Sequence, residues 1–350
     1  MTVRRIRTSL QLRRLAAVIA MAVTLAMTAG CQWTRQQFPQ TTLEPTSQAA
    51  RDIDHILDMQ VFWVVVIFVL VQGLIILAVL RFRARPGAPE PKHVHGNTAM
   101  EIAWTVAPAI VLALVAVPTV KVIFQSQAKA PAGSVEVKAI GHQWWWEFQY
   151  PDLGITTGSE MHVPVGQTVN VTIETADVLH SFWFPAIGGK RDAVPTHSNH
   201  IWFKPESTGV FLWQCAELCG ISHANMRMKL FVDTPEEYDA WVAAQKQPAA
   251  TPDSATQALA FEGSKLFTEQ ICFTCHTING VDAAVGVVGP NLTHVGSRTA
   301  IAGAIFPNTA DNLAKWIADA PHRKPGAVMM KMDLTDAQLQ ALVAYVQSLR

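Results

Sequence analysis

Two short stretches concentrate residues able to bind a redox group. The first is Cys215-Ala-Glu217-Leu-Cys219-Gly-Ile-Ser-His223-Ala-Asn-Met226, with two thiols, an imidazole and a thioether inside 12 residues. Thiolate and thioether are soft ligands suited to copper, and a His/Cys set with a weak Met is the blue-copper arrangement. The second cysteine alters the count, because two sulfurs can bridge two metal ions, each then needing one further nitrogen. His223 supplies one. His180, in Asp177-Val-Leu-His180 between two predicted strands, is the best candidate for the other. A Cys215–Cys219 disulfide is the competing assignment for an exported chain. Four ligand types in one loop favour a metal, and zinc fits less well because Met is not among its usual ligands. The second stretch, Cys272-Phe-Thr-Cys275-His276, is a Cys-x-x-Cys-His motif, the covalent attachment signature of c-type haem. Both thiols would form thioethers and the imidazole would bind iron. A thioredoxin-like redox pair would need a βαβ setting, whereas this segment is helical and Gly-rich. Met is the usual sixth ligand when a haem only carries electrons, and Met329, Met330 and Met332 are the candidates.

These stretches must be positioned by the surrounding elements. From 134 to 233, short runs such as Val-Glu-Val-Lys-Ala-Ile (135–140), Thr-Val-Asn-Val-Thr-Ile (168–173), 199–203 and 210–213 are rich in β-branched and aromatic residues and are separated by Gly, Pro or Asp. They predict an all-β sandwich or barrel. Thr234-Pro235-Glu236 predicts a closing helix. The segment 247–256 reads as a polar, Pro- and Ala-rich linker. A helical stretch over 257–270 leads into the haem motif, and Thr335 with Gln338 predicts a capping box on the last helix.

The N-terminal third has a different character. Five arginines by position 14 precede a charge-free run over 15–29, the pattern of a secretory signal peptide (1–30) rather than a membrane span. Ala29-Gly30-Cys31 suggests lipidation of Cys31, although Thr28 is unusual at that distance from such a cysteine. Residues 61–80 and 102–120 carry no charge, and each stretch is long enough to cross a bilayer. Pro108 and Pro118 kink the second helix without forbidding it. The loop at 81–100 has four basic residues against one acidic, and the segment at 32–60 has two against four. Basic loops stay inside, so everything after about residue 124 is expected outside. Charged residues make up only 15% of the chain, with 27 basic and 27 acidic side chains. That balance gives no electrostatic support for nucleic-acid binding.

The pattern Cys-x-Glu-x-Cys-x-x-x-His-x-x-Met resembles the binuclear copper (CuA) loop of subunit II of haem-copper cytochrome c oxidases. Gly141-His-Gln-Trp-Trp-Trp146 resembles that family's aromatic stretch, and Asp177-Val-Leu-His180-Ser its first histidine motif. The resemblance covers about 50–245. It implies a two-helix membrane hairpin (50–124) and a cupredoxin-like Greek-key barrel (132–246). The implied copper ligands are His180, Cys215, Cys219, His223 and Met226 with the main-chain carbonyl of Glu217. The Glu217 carboxylate would also reach a magnesium ion beside subunit I. Trp144 would be the tryptophan through which electrons reach copper; as a core aromatic, Trp145 or Trp146 fits at least as well. Glu101, in Glu-x-x-Trp-Thr, would lie at the mouth of a proton channel, against the simpler reading of an interfacial charge.

Residues 257–350 resemble an all-α class I cytochrome c domain, with Gly289-Pro-Asn-Leu292 matching the loop beside the proximal histidine and Met329 the favoured axial ligand. Fusion of the two resembles the caa-type oxidases. The resemblance implies the electron-input subunit of a proton-pumping, oxygen-reducing enzyme in a bacterial plasma membrane. Its partners would be subunit I, other oxidase subunits, lipid, and cytochrome c or another external donor. The oxygen-reducing site would lie on another subunit. A copper-containing nitric oxide reductase and a membrane-tethered copper carrier are the alternatives, the second leaving the haem motif unexplained.

Overall fold

The computed structural model describes residues 38–83, 86, 87, 90, 93 and 95–350. The expected signal peptide and Cys31 lie outside the described residues. Two long helices come first, α1 (Gln48–Phe82) and α2 (Thr98–Ser126), both long and apolar enough to cross a membrane. Side chains such as Phe62, Phe68, Leu80, Leu112 and Val117 are exposed on them, as expected for helices apolar on every face. Both helices outrun the charge-free stretches in the sequence. Apolarity marks only the part suited to lipid, while polar turns at either end continue the same hydrogen-bond ladder. Ser47 and Asn97 cap the two N-termini by accepting from the amides of Ala50 and Met100, satisfying donors that lack a helical partner.

The start of α1 is fastened to the domain that follows. The Ser47 hydroxyl donates to the Ile187 carbonyl, and the Thr46 amide donates to Ala186 at 2.7 Å. Arg51 meets the Glu206 carboxylate through both terminal nitrogens at 2.6 Å.

The middle of the chain is a β-sandwich with ten strands: β1 (Val135–His142), β2 (Trp145–Tyr150), β3 (Ile155–Gly158), β4 (Glu160–Pro164), β5 (Val169–Thr175), β6 (His180–Phe182), β7 (Arg191–Ala193), β8 (Asn199–Phe203), β9 (Gly209–Gln214) and β10 (Arg227–Asp233). One sheet has the order β3-β2-β1-β5-β8, a second has β4-β10-β9, and β6 and β7 pair antiparallel as a separate ribbon. The β1/β5 and β4/β10 pairs are parallel, and the remaining pairs in these sheets are antiparallel. Burial alternates along β1 and β10, because successive side chains point to opposite faces. The inward faces meet in one core around Trp146, Phe182, Phe184 and Trp213. Helix α3 (Pro235–Gln245) follows with a complete Thr234/Glu237 capping box.

A second core belongs to the C-terminal region. Helix α4 (Ala258–Glu269) packs across α8 (Asp336–Ser348). They approach so closely that a Cβ on Gly263 would lie 2.0 Å from the Ala341 carbonyl oxygen. Between them come α5 (Cys272–Cys275), the small ribbon β11 (Ala300–Ile301) with β12 (Phe306–Pro307), α6 (Ala310–Ala318) and α7 (Ala320–Arg323). The segment read as a linker is bound to this region: the Ala249 amide donates to Asn279 at 2.8 Å, and the His294 ring bonds the Gln247 carbonyl at 3.0 Å. Its polar composition does not reveal those main-chain bonds.

Candidate functional site

His180 opens β6, and Cys215 directly follows β9. The Ala216 amide donates to the Ser181 carbonyl at 3.1 Å, and the Cys215 amide to Met226 at 2.8 Å. The first bond ties the start of the 215–226 loop to the His180 strand, and the second closes the loop's two ends on each other. Ligand atoms of His180, Cys215 and Cys219 all lie within 4.8 Å of one another in a buried cluster. The His180 Nδ1 is 3.9 Å from Cys215 Sγ, and the His223 Nδ1 is 3.5 Å from Cys219 Sγ. Met226 Sδ is 3.8 Å from Cys219 Sγ, and the Glu217 carbonyl accepts from the Cys215 thiol at 3.2 Å. Each sulfur therefore has its own imidazole nitrogen. That donor set fits a pair of soft metal ions bridged by two thiolates.

The electrostatics favour a shared thiolate. Cys215 is drawn far below the usual thiol range, first by the Cys219 thiol and then by His180, while Cys219 is pushed up by Cys215 and by burial. Burial opposes charge on His180, but its bonds to Asp177 and Cys215 prevail and raise its affinity for a proton. Asp177 takes Nε2 of His180 at 2.7 Å, which fixes the ring and leaves Nδ1 directed at sulfur. The same carboxylate accepts from the Gln143 amide at 2.7 Å, so it ties the histidine to the turn that carries Trp144. The Asp-x-x-His spacing held this signal, and sequence reasoning passed over it. The Glu217 carboxylate lies 3.6 Å from the Lys190 ammonium.

The three neighbouring tryptophans have different surroundings. Trp146 is buried in the sandwich core, and Trp145 stacks on His142 with ring centroids 4.3 Å apart. Trp144 lies in the β1–β2 turn and donates its indole N–H to the Cys219 carbonyl at 3.0 Å. A Cβ on Gly220 would come 3.1 Å from its ring, and the backbone there has φ +119°, so glycine permits this approach.

In the C-terminal region Cys272, Cys275 and His276 share a short helix and its end. The His276 Nδ1 donates to the Pro290 carbonyl at 2.9 Å, leaving Nε2 for another partner. Burial lowers the proton affinity of this ring, which favours the neutral imidazole that a metal requires. A Cβ on Gly289 would fall 2.4 Å from His276 Cε1. Phe273, Leu292, Trp316 and Met329 are half-buried against the domain core, as is Cys272. These thiols, the free Nε2 and the apolar wall fit a covalently held haem. Met330 is 53% exposed, and the Met332 amide is bonded to Ala318. Glu101 lies in the first turn of α2, far in sequence from both clusters.

Sequence reasoning also missed the contact between the two regions. Lys324 is only 3% exposed and donates to the main-chain carbonyls of Trp144 at 2.5 Å and Ala302 at 2.8 Å. Burial lowers its pKa to about 7. Nearby, buried Glu160 accepts from the amides of Thr299 at 2.9 Å and Ala300 at 3.0 Å.

Three family models match: the transmembrane domain of cytochrome c oxidase subunit II over 31–122, its periplasmic domain over 153–232, and cytochrome c over 260–350. The chain is 39% identical to cytochrome c oxidase subunit 2 of Alkalihalophilus pseudofirmus over 89% of its own length and 91% of that protein. It is 38% identical to the Bacillus sp. (strain PS3) subunit over 77% of this chain and 80% of the relative. A solved structure of the periplasmic domain of subunit II from Bradyrhizobium japonicum is 37% identical; the match covers 34% of this chain and 97% of that one, with a TM-score of 0.33.

Proposed function

The chain belongs to the cytochrome c oxidase subunit II family, and on that premise we propose that it is the electron-input subunit of a proton-pumping haem-copper oxidase, with both clusters on the outer face of a bacterial plasma membrane. Its family makes it a membrane-anchored subunit that works with other oxidase subunits. When bound, a copper pair held in the 215–226 loop and a haem c held at 272–276 would each supply one-electron exchange, which would place this chain between an external donor and the haem of subunit I.

His180, Cys215, Cys219, His223, Met226 and the Glu217 carbonyl would hold the coppers. Cys272 and Cys275 would carry the porphyrin, with His276 and Met329 on the iron. The buried sulfurs and the Asp177–His180 bond hold the ligands in place and keep water away from them. The observation that carries the reading is the position of Trp144. Its indole is hydrogen-bonded to the carbonyl of Cys219 on one side, and its main chain is held by the C-terminal region on the other. The basic 81–100 loop supports an inner location for the loop end of α2, where Glu101 would serve the proton channel. The Glu217 carboxylate would serve a magnesium ion at the border with subunit I.

The test is to purify the complex and supply reduced cytochrome c with oxygen or with nitric oxide. Oxygen consumption is expected, and an oxygen-inert complex that reduces nitric oxide would overturn the assignment. A stable mixed-valence two-copper electron spin resonance signal is also expected. One readily lost cuprous ion would instead indicate a copper carrier.

A further inference from the structure

The face of the copper domain that presents Trp144 is already covered. The covering piece is the Lys324-Pro325-Gly326 turn, which begins five residues before Met329. A Cβ on Gly326 would lie 2.5 Å from Trp144 Cη2 and 2.9 Å from Ile221, at φ +81°. Pro325 accepts from the Ser222 hydroxyl at 2.6 Å. Gly303 is equally confined, because a Cβ there would lie 2.6 Å from the Lys324 ammonium and 2.7 Å from the Trp144 carbonyl. Around this centre the Arg227 amide donates to Gly303 at 3.0 Å, and Lys229 donates to the Thr299 hydroxyl at 2.7 Å. That hydroxyl in turn donates to Glu160 at 2.5 Å. As a result, Trp144 is left 8% exposed.

Lys324 is unusual within this contact. A buried ammonium normally needs a carboxylate partner, but the hydrogen bonds Lys324 makes are to two carbonyls, one from each region. The bond to Trp144 crosses between the two domains, and the bond to Ala302 anchors the ammonium within its own domain. Glycines at 303 and 326 remove the side chains that would hold the surfaces apart.

We propose that Lys324 is a positioning residue that locks the haem domain onto the Trp144 face, so that a soluble donor can reach this chain only through the haem domain. This rests on the reading of Trp144 as the path into copper. A domain tethered beside its target has a high effective concentration there, and the lock turns that proximity into exclusion of competitors.

The test uses the whole purified oxidase as wild type, Lys324→Met, Lys324→Gln and Gly326→Val. Hydrogen exchange is followed in the peptides containing Trp144 and Cys219. Rapid mixing with soluble ferrocytochrome c is followed separately at the haem c and copper bands. In the wild type, copper should never be reduced ahead of haem c. Lys324→Met keeps the length and loses the donor, and should speed exchange at Trp144 by roughly tenfold and let the soluble donor reduce copper in parallel with haem c. Gly326→Val should open the same face by collision with Trp144. Lys324→Gln retains an N–H donor and should restore part of the protection, which mere loss of packing would not explain. Wild-type exchange and wild-type reduction order in both Lys324→Met and Gly326→Val would overturn the proposal. So would copper reduction ahead of haem c in the wild type. A wild-type complex lacking copper would instead defeat the electron-input reading, and the exchange data would still decide the role of Lys324.

Discussion

The 215–226 loop and the 272–276 segment both gather sulfur and imidazole, but they rest on different supports. The loop at 215–226 hangs from the edges of a sandwich whose core is closed by Trp146, Phe182, Phe184 and Trp213. Its sulfur and imidazole groups are oriented by main-chain bonds and by Asp177, and Cys215, Cys219 and Met226 are themselves buried in that all-protein core. The segment at 272–276 belongs to a core in which Cys272, Phe273, Leu292, Trp316 and Met329 are only partly buried. There the cofactor's apolar faces would complete the packing. The difference teaches that metal loss should leave the first domain folded, whereas haem loss should unsettle the second, since group binding and folding are coupled in such sites.

The largest expected effect sharpens that contrast. Cys215→Ser or Cys219→Ser should abolish the two-copper resonance signal while haem c stays attached and both domains still melt cooperatively. Loss of haem c from a folded, exported variant would break the separation. Next, Trp213→Ala should lower the stability of the sandwich by about 3–5 kcal/mol, the usual cost of emptying a buried aromatic site. Domain-resolved calorimetry should show the haem-domain transition nearly unmoved. Asp177→Ala removes the carboxylate that fixes His180 and should weaken copper retention roughly 10–100-fold against a chelator. Sandwich stability should change far less, and equal losses in both would argue against a positioning role. The smallest effect lies at the end of the haem domain. Thr335→Ala should cost about 1 kcal/mol through loss of the cap on α8, read as a lower melting point of that domain alone.

Locally encoded features were the ones most readable in the sequence. Strand runs, the helix start at Thr234-Pro235-Glu236 and the Thr335 capping box depend on neighbours a few residues apart, and each appears where the residue pattern put it. Features that needed a distant partner were not readable. Lys324 sits between Arg323 and Pro325 and looks like a solvent-facing charge; only the docking of two domains buries it. The segment 247–256 looks like free linker because its composition is polar, yet Pro248 lies against Gly280 and its neighbour's amide is bonded. Trp144, Trp145 and Trp146 are identical by residue type. Their separation into a domain contact, a His142 stack and a core residue depends on the turn they share and on what packs against it.

The most direct test of the account is metal and haem analysis of the purified chain in its complex. Two coppers and one covalently attached haem per polypeptide are predicted. Zinc in place of copper, or a single copper ion, would contradict it.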